Sequence, residues 1–346
     1  MPSVKQLKTA LCSLSLLFAS QSFAASPARL EIQSAWPLSL PASGQSAQHF
    51  VDQLDATASD SLRVKLYSAG KLVPAMEIFD AVREGTLDAG YTSPLYVAGR
   101  FPAVQLFGGV PFGPQPMDYL GWLYNGGGLK IWREIYAKQG VMTIPCGLMD
   151  SESGGWYTFP INSIKDLDGK KIRFAGLAGE VMKKAGASVV LLSSGDIFPN
   201  LERGVIDGTE FSMPAIDADM GFEKAAKYYY LPGWHQPAAI NELIINMGKW
   251  KSLTAAQQTL IEDTCKETEL WTVTSTSQAN ADAIKKFEAA GVKIQPFPAQ
   301  VLSSFKQATN EVLDEQAKKD PDFQRVLNSL NEYREKTSSW SEHKSL

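Results

Sequence analysis

An α/β fold with two similar lobes facing each other across a cleft follows from three features of the sequence. A helix-turn-strand unit occurs twice, the mature chain starts in βαβ order, and its length suits two cores. The unit is clearest over residues 195–214, GDIFPNLERGVIDGTEFSMP. Ile197, Leu201 and Gly204 fall near helical spacing, with Pro199 in the first turn, where its missing N–H does no harm. Gly204 suits the left-handed residue past a helix end, and 205–209 then reads as a buried strand. That strand delivers Glu210 and Phe211 to its carboxyl end, where open α/β sheets bind ligands. Residues 77–93 match 196–212 without a gap at one offset, 196 less 77 or 119, which superposes Ile, Phe, Gly, Asp and Ser. The match makes Tyr91 the counterpart of Glu210. Chance likeness between two amphipathic units is the competing explanation.

The first residues give an address. Lys5 and Lys8 form a basic start, 10–19 is an apolar run too short to span a bilayer, and Ser22-Phe23-Ala24 fits a cleavage site. This predicts a signal peptide over 1–24, cut after Ala24, and an exported, soluble mature chain with no lipid anchor at Cys12. No later run reads as a membrane helix. The 346 residues, less that leader, are about two domains' worth. The 33 basic residues less Lys5 and Lys8 leave 31 against 37 acidic ones, a net charge near −6. Nothing basic clusters, so nucleic acid and anionic membrane surfaces are poor partners.

In chain order, 30–36 alternates as a first strand ending at Trp36-Pro37, 46–57 reads as a helix, and 62–67 as the next strand. After the first repeat copy, 91–111 is rich in aromatics, Pro and Gly and is expected to line or underlie the cleft. A helix over 117–138 must break at Gly126-Gly127-Gly128, and 141–148 returns as a strand. The turn 150–158 is read as a crossing between lobes, at which the protein can bend. Lobe I then spans 25–150 and lobe II 151–240, while 241–346 returns to lobe I and adds the C-terminal helices. In lobe II, 163–167 is a capped turn, 170–174 a strand, 176–185 a helix and 189–192 a strand. Residues 228–235 form an aromatic strand and turn, and 239–246 a further strand. Thr254 with Gln257 fits a capping box opening a long helix towards Ala290, kinked on the way. A short strand at 292–295 and amphipathic helices over 299–318 and 323–336 finish the chain.

Several side chains invite chemistry. Arg173, at the end of an alternating strand, is placed either to grip a carboxylate with two parallel hydrogen bonds or to make a surface ion pair. Glu152 and Glu210 admit three readings: two oxygen donors to a hard cation such as Na⁺ or Ca²⁺, an acid and base pair, or two solvated glutamates. Trp36, Tyr91, Tyr96, Trp156, Phe211 and Trp234 are candidate pocket walls, each with core packing as its alternative. Cys146 and Cys265 remain after processing, and the sequence leaves their pairing open. With three histidines and no Cys/His cluster of zinc spacing, a histidine metal site is not expected. The motifs G-x-S-x-G, H-E-x-x-H, G-x-G-x-x-G and the P-loop are absent.

Residues 170–173, KKIR, followed by 195–208, GDIFPNLERGVIDG, behind a signal peptide, resemble the DctP-type solute-binding proteins of tripartite ATP-independent periplasmic (TRAP) transporters. The likeness runs along the mature chain. Gly154-Gly155-Trp156 and the run 228–234, YYYLPGW, are most similar to the branch that binds 2-oxo and 2-hydroxy acids such as pyruvate and lactate, often with a metal ion. The resemblance implies a two-lobed periplasmic binding protein fold with hinge strands and a long lobe-spanning helix, matched by 254–290. It implies a periplasmic protein that binds a small carboxylate and works with TRAP membrane subunits. It further implies Arg173 as the carboxylate clamp, with Glu152, Phe211, Tyr91, Trp36, Trp156 and Trp234 around the ligand. Glu152, Glu210 and Phe211 are the implied metal set. Two positions depart from the branch: Phe211 stands where tryptophan is common, and Glu152 where glutamine is. The added charge at Glu152 favours Ca²⁺ over Na⁺. Some branch members dimerise through a protruding C-terminal helix, but this chain ends soon after Trp340, so a monomer is expected. The rival from another class is an exported lyase or hydrolase using Glu152 and Glu210.

Overall fold

The computed structural model describes residues 27–58 and 60–343, so the expected leader and its cleavage after Ala24 lie outside the described residues. Eleven strands build two sheets: β1 (Ala28–Ser34), β2 (Leu62–Tyr67), β3 (Ala89–Thr92), β4 (Val141–Met149), β5 (Gly155–Tyr157), β6 (Lys171–Arg173), β7 (Ser188–Val190), β8 (Gly208–Thr209), β9 (Tyr228–Tyr230), β10 (Ala239–Asn246) and β11 (Lys293–Gln295). The first sheet has the order β2-β1-β3-β10-β4 and the second β7-β6-β8-β5-β9-β11. In both, the first three strands run parallel, the fourth opposes the third and the fifth opposes the fourth. Within each sheet the fourth strand is the first to follow a crossing from the other sheet.

This shared topology gives the internal repeat its physical meaning. Ile78–Glu84 and Ser194–Glu202 are the two helices, Gly85 (φ 75°) and Gly204 (φ 69°) the left-handed turns, and β3 and β8 the equivalent third strands. The strand expected at 205–209 pairs only at Gly208–Thr209. Val205 stays 49% exposed, and Asp207 is drawn to β6, its N–H donating to the Lys171 carbonyl and its carboxylate accepting from the Lys171 N–H at 2.8 Å.

The capping box forms as its residues predict: the Gln257 N–H donates to Thr254 Oγ1 at 3.3 Å, and the Thr254 N–H to Gln257 Oε1 at 2.9 Å. The long helix is two pieces, Ala255–Ser275 on the first lobe and Ser277–Ala289 on the second, meeting at Thr276. Hydroxyls of Thr268 and Thr272 donate back to the carbonyls of Thr264 and Thr268, a contact that bends helices and accounts for the kink. Cys265 on this helix is bonded to Cys146 in β4, so the disulfide pins it to the first sheet. The helix Ala299–Lys319 packs on Gly176–Lys184 in the second lobe, and Pro321–His343 returns to Gly128–Ala137 in the first. The chain therefore crosses between lobes after β4, after β9, at Thr276 and near Asp320. Among the described residues, no helix is long and apolar enough to cross a membrane.

Candidate functional site

Where β6, β8 and the two strand crossings meet, a cavity of about 50 Å³ lies between the lobes. That is room for roughly four water-sized spheres, a scale suited to a ligand of a few heavy atoms. The second lobe and the crossings provide Glu152, Arg173, Glu210, Phe211 and Ser212, and the first lobe provides Trp36, Leu95, Tyr96 and Met149.

Arg173 ends β6 and is 2% exposed. Its Nη1 donates to the Glu210 carboxylate at 2.9 Å and to the Glu210 carbonyl at 2.7 Å, and its Nε donates to the Leu192 carbonyl at 3.3 Å. The guanidinium lies 5.5 Å from the Phe211 ring centre. These contacts use Nε and Nη1 of the guanidinium. Glu210, just past β8, also accepts the Ala175 N–H at 3.2 Å. Burial works to raise its pKa, but the Arg173 charge, with help from His235 and the Ala175 N–H, more than offsets that and holds it below the usual range.

Glu152 lies in the first crossing and is 4% exposed. Its N–H donates to the Gln236 carbonyl at 3.1 Å and its carbonyl accepts from the Gly233 N–H at 2.9 Å, so the two crossings are tied to each other at this residue. Ser212 Oγ donates to Glu152 Oε1 at 3.3 Å. Burial, reinforced by the Glu210 charge, raises the Glu152 pKa against the opposing pull of His235 and Ser212.

His235, in the second crossing, completes the cluster that the sequence did not reveal. Its Nε2 stands 3.4 Å from Glu152 Oε2 and 3.5 Å from Glu210 Oε1. Burial lowers its pKa, yet the two glutamates outweigh burial and raise it to about 9. The separations are charge contacts rather than hydrogen bonds: Glu152 Oε2 and both ring nitrogens are buried without a hydrogen-bond partner. Donor atoms of Glu152, Glu210 and His235 all lie within 4.8 Å of one another, a spacing that accommodates a cation. This grouping has no local signal in the sequence, because the fold unites residues far apart along the chain.

Of the candidate aromatics, Trp36, Tyr96 and Phe211 line the cavity. Tyr91, Trp156 and Trp234 do not. Tyr91 is fully buried in the first lobe, its hydroxyl donating to the Cys146 carbonyl and paired with Ser46 Oγ, each at 2.8 Å. Trp156 packs between Tyr229 and Phe287 in the second-lobe core and donates from Nε1 to Asp217 at 3.0 Å. Trp234 stacks on Phe305 and sits beside Phe174. A core role, the alternative weighed for each ring, describes these three positions.

Known proteins resemble this arrangement along most of the chain. A monocarboxylate 2-oxoacid-binding periplasmic protein of Nostoc sp. (strain PCC 7120) is 31% identical over 313 residues, 90% of this chain and 86% of the relative. A TRAP transporter solute-binding protein of Bordetella bronchiseptica superposes with a TM-score of 0.89 at 30% identity, covering 91% of this chain and 94% of its own. That protein is a mixed-occupancy dimer with calcium and picolinate in its occupied site. A TRAP solute-binding protein of Pseudoalteromonas atlantica with bound sodium and pyruvate gives 0.87 at 31% identity, covering 91% of this chain and 96% of its own. Its counterpart from Colwellia psychrerythraea, with calcium and pyruvate, gives 0.87 at 30% identity, covering 91% and 97%. The family described as bacterial extracellular solute-binding protein, family 7, matches residues 36–320. With its two topologically equivalent sheets and its carboxylate-lined interlobe cavity, the chain belongs to this DctP family of TRAP transporter solute-binding proteins.

Proposed function

We propose that this chain is a periplasmic receptor that captures a small monocarboxylate, a 2-oxo or 2-hydroxy acid, with Arg173 as clamp, and delivers it to the membrane subunits of a TRAP transporter. One observation carries the reading. A buried guanidinium, already anchored by Glu210, has one arm of its fork left over at a cavity of a few water volumes that is also lined by Glu152, whose Oε2 has no hydrogen-bond partner. Nη2 of such a guanidinium can donate charge-assisted hydrogen bonds to a ligand carboxylate. Phe211 beneath it and Leu95, Met149 and Ile240 around the cavity offer the ligand carbon apolar contact. The relatives described above carry pyruvate or picolinate together with sodium or calcium, which supports both the ligand class and a cation.

The residues fit a hard cation. Glu152 and Glu210 supply carboxylate oxygens, the Phe211 carbonyl is the further oxygen we assign to the set, and the unpartnered Glu152 Oε2 faces the cluster. When bound, such an ion supplies positive charge between two carboxylates and a point of attachment for an acid's oxygens. In its absence the His235 imidazolium neutralises the same pair. Ca²⁺ is the ion we favour, since Glu152 adds a charge that a divalent ion offsets better than Na⁺. The mature receptor is proposed to be a monomer.

Thermal shift of the mature protein against small 2-oxo, 2-hydroxy and dicarboxylic acids, each with Ca²⁺, Na⁺ or chelator, tests the reading, because a ligand of the folded state raises the midpoint by mass action. A shift with pyruvate-like acids that needs Arg173 is expected. No shift with any acid under any ion condition would overturn it. Turnover of a bound acid would favour the lyase or hydrolase alternative.

A further inference from the structure

Leu95 lies on the boundary between two spaces. It belongs to the short helical turn Pro94–Val97 just past β3, where its N–H donates to Ser93 Oγ at 3.2 Å. One side of it lines the ligand cavity of about 50 Å³. The other lines a second interlobe cleft of about 310 Å³, bounded also by Gln105, Phe174, Gly176, Lys183 and Leu191. The side chain is 6% exposed and wedged between backbones of opposite lobes. A Cβ on Gly108 in the first lobe would fall 2.6 Å from its Cγ and Cδ2, and one on Gly176 in the second would fall 2.9 Å from Cδ2. Both separations are too short for a real carbon contact, so glycine at each position is what lets a leucine fill the gap.

We propose that Leu95 sets the chain length of the acid this receptor accepts, acting as the wall that keeps a ligand's carbon tail out of the neighbouring cleft. The inference rests on the 2-oxo acid reading above and deepens it. An acid held at Arg173 meets apolar carbon at Leu95 after a short tail. Beyond that wall the cleft has Phe174 and Leu191 to receive further methylenes and solvent-reaching Lys183 at its rim. Removing the wall joins the two spaces without touching the arginine or the carboxylates.

Calorimetric titration of the mature protein in Ca²⁺ with pyruvate, 2-oxobutanoate, 2-oxopentanoate and 2-oxohexanoate tests this, using the native chain, Leu95→Ala and Leu95→Val. A methylene that clashes with or fills an apolar pocket changes affinity about tenfold or more. The native chain is expected to lose affinity stepwise beyond the shortest acids. Leu95→Ala, which also takes apolar contact from the shortest acid, is expected to weaken pyruvate and to raise the ratio of 2-oxohexanoate to pyruvate affinity at least about tenfold over that of the native chain. Leu95→Val should shift the optimum by a single carbon, and it decides the matter if the alanine variant loses its fold. Pyruvate binding with a chain-length profile unchanged in the variants overturns this inference alone. Failure of the native chain to bind any 2-oxo acid overturns the functional reading and this inference with it.

Discussion

Replacing Arg173 separates the ligand grip proposed for it from its balancing of Glu210. Arg173→Met removes the whole charge. The charge-assisted hydrogen bonding left to Nη2 is worth about 1.5–3 kcal/mol, so binding should weaken by about one to two decades. The same change strands Glu210, which is 1% exposed and loses bonds at 2.9 and 2.7 Å. Breaking a buried pair from one side costs about 3–5 kcal/mol, and His235 at 3.5 Å shares the neutralisation, which places the loss near the lower end. In chelator, the melting temperature should fall on the order of 5–10 °C. Arg173→Lys keeps a cation beside Glu210 but lacks the planar fork and the bond from Nε to the Leu192 carbonyl, costing stability about 1 kcal/mol. It should still lose at least about tenfold in affinity. Titration calorimetry and thermal melts of both variants read the two effects separately. A lysine variant that binds the acid as tightly as the native chain, or a methionine variant with native stability, would refute the reasoning.

Glu152→Gln, which removes the charge but keeps an oxygen donor, should retain acid binding but narrow the preference for Ca²⁺ over Na⁺ by roughly tenfold, read from ion-dependent thermal shifts. Replacing Cys146 and Cys265 by serine opens a loop of 119 residues, for which the chain-entropy account gives about 5 kcal/mol of lost stability. Chemical denaturation that finds the double variant as stable as the native chain would show that Ala255–Ser275 holds its place on β4 without the bond. Glu242 in β10 is fully buried, accepts from the Tyr136 and Thr143 hydroxyls, and is raised by burial from 4.5 to about 8. The folded state therefore keeps a proton that the unfolded chain releases above about 4.5, and stability falls as pH rises towards 8, by about 2–3 kcal/mol between pH 5 and 7. Glu242→Gln should flatten that slope by close to one proton; an unchanged slope would mean that the carboxyl is ionised in the folded protein.

Residues made visible by local pattern came through the sequence well. The repeat, the capping box at Thr254 and the strand-end positions of Arg173 and Glu210 each rest on neighbours within a few positions. His235 has no such signal: its partners lie 25 and 83 positions away, and only the return of the chain after β9 brings them within 3.5 Å. Trp156 and Tyr91 show a different limit. Both lie inside short strands, and a strand sends alternate side chains to opposite faces, so which face meets the cleft is fixed by tertiary packing. Tyr91 is the repeat counterpart of Glu210, and its hydroxyl turns into the first-lobe core towards Ser46. The Cys146–Cys265 bond stayed open for the same reason, since the docking of a helix on β4 is a contact across 119 residues.

Charge and shape are divided between the lobes in a way that orders events. Arg173, Glu210 and Ser212 stand on the second lobe, and Glu152 and His235 on the crossings, so the charged half of the site is assembled without the first lobe. The first lobe adds mainly carbon at the cavity: the rings of Trp36 and Tyr96, with Leu95 and Met149. On the function proposed above, an acid would meet this charged half first, and the carbon of the first lobe would keep water from each charge interaction made there, which strengthens it. Glu152 and His235 also lie on the two strand crossings between the lobes. The backbone bonds from Glu152 to Gln236 and from Gly233 to Glu152 lock those segments together. Whatever charge settles between Glu152 and Glu210 therefore sits where the two crossings are tied together.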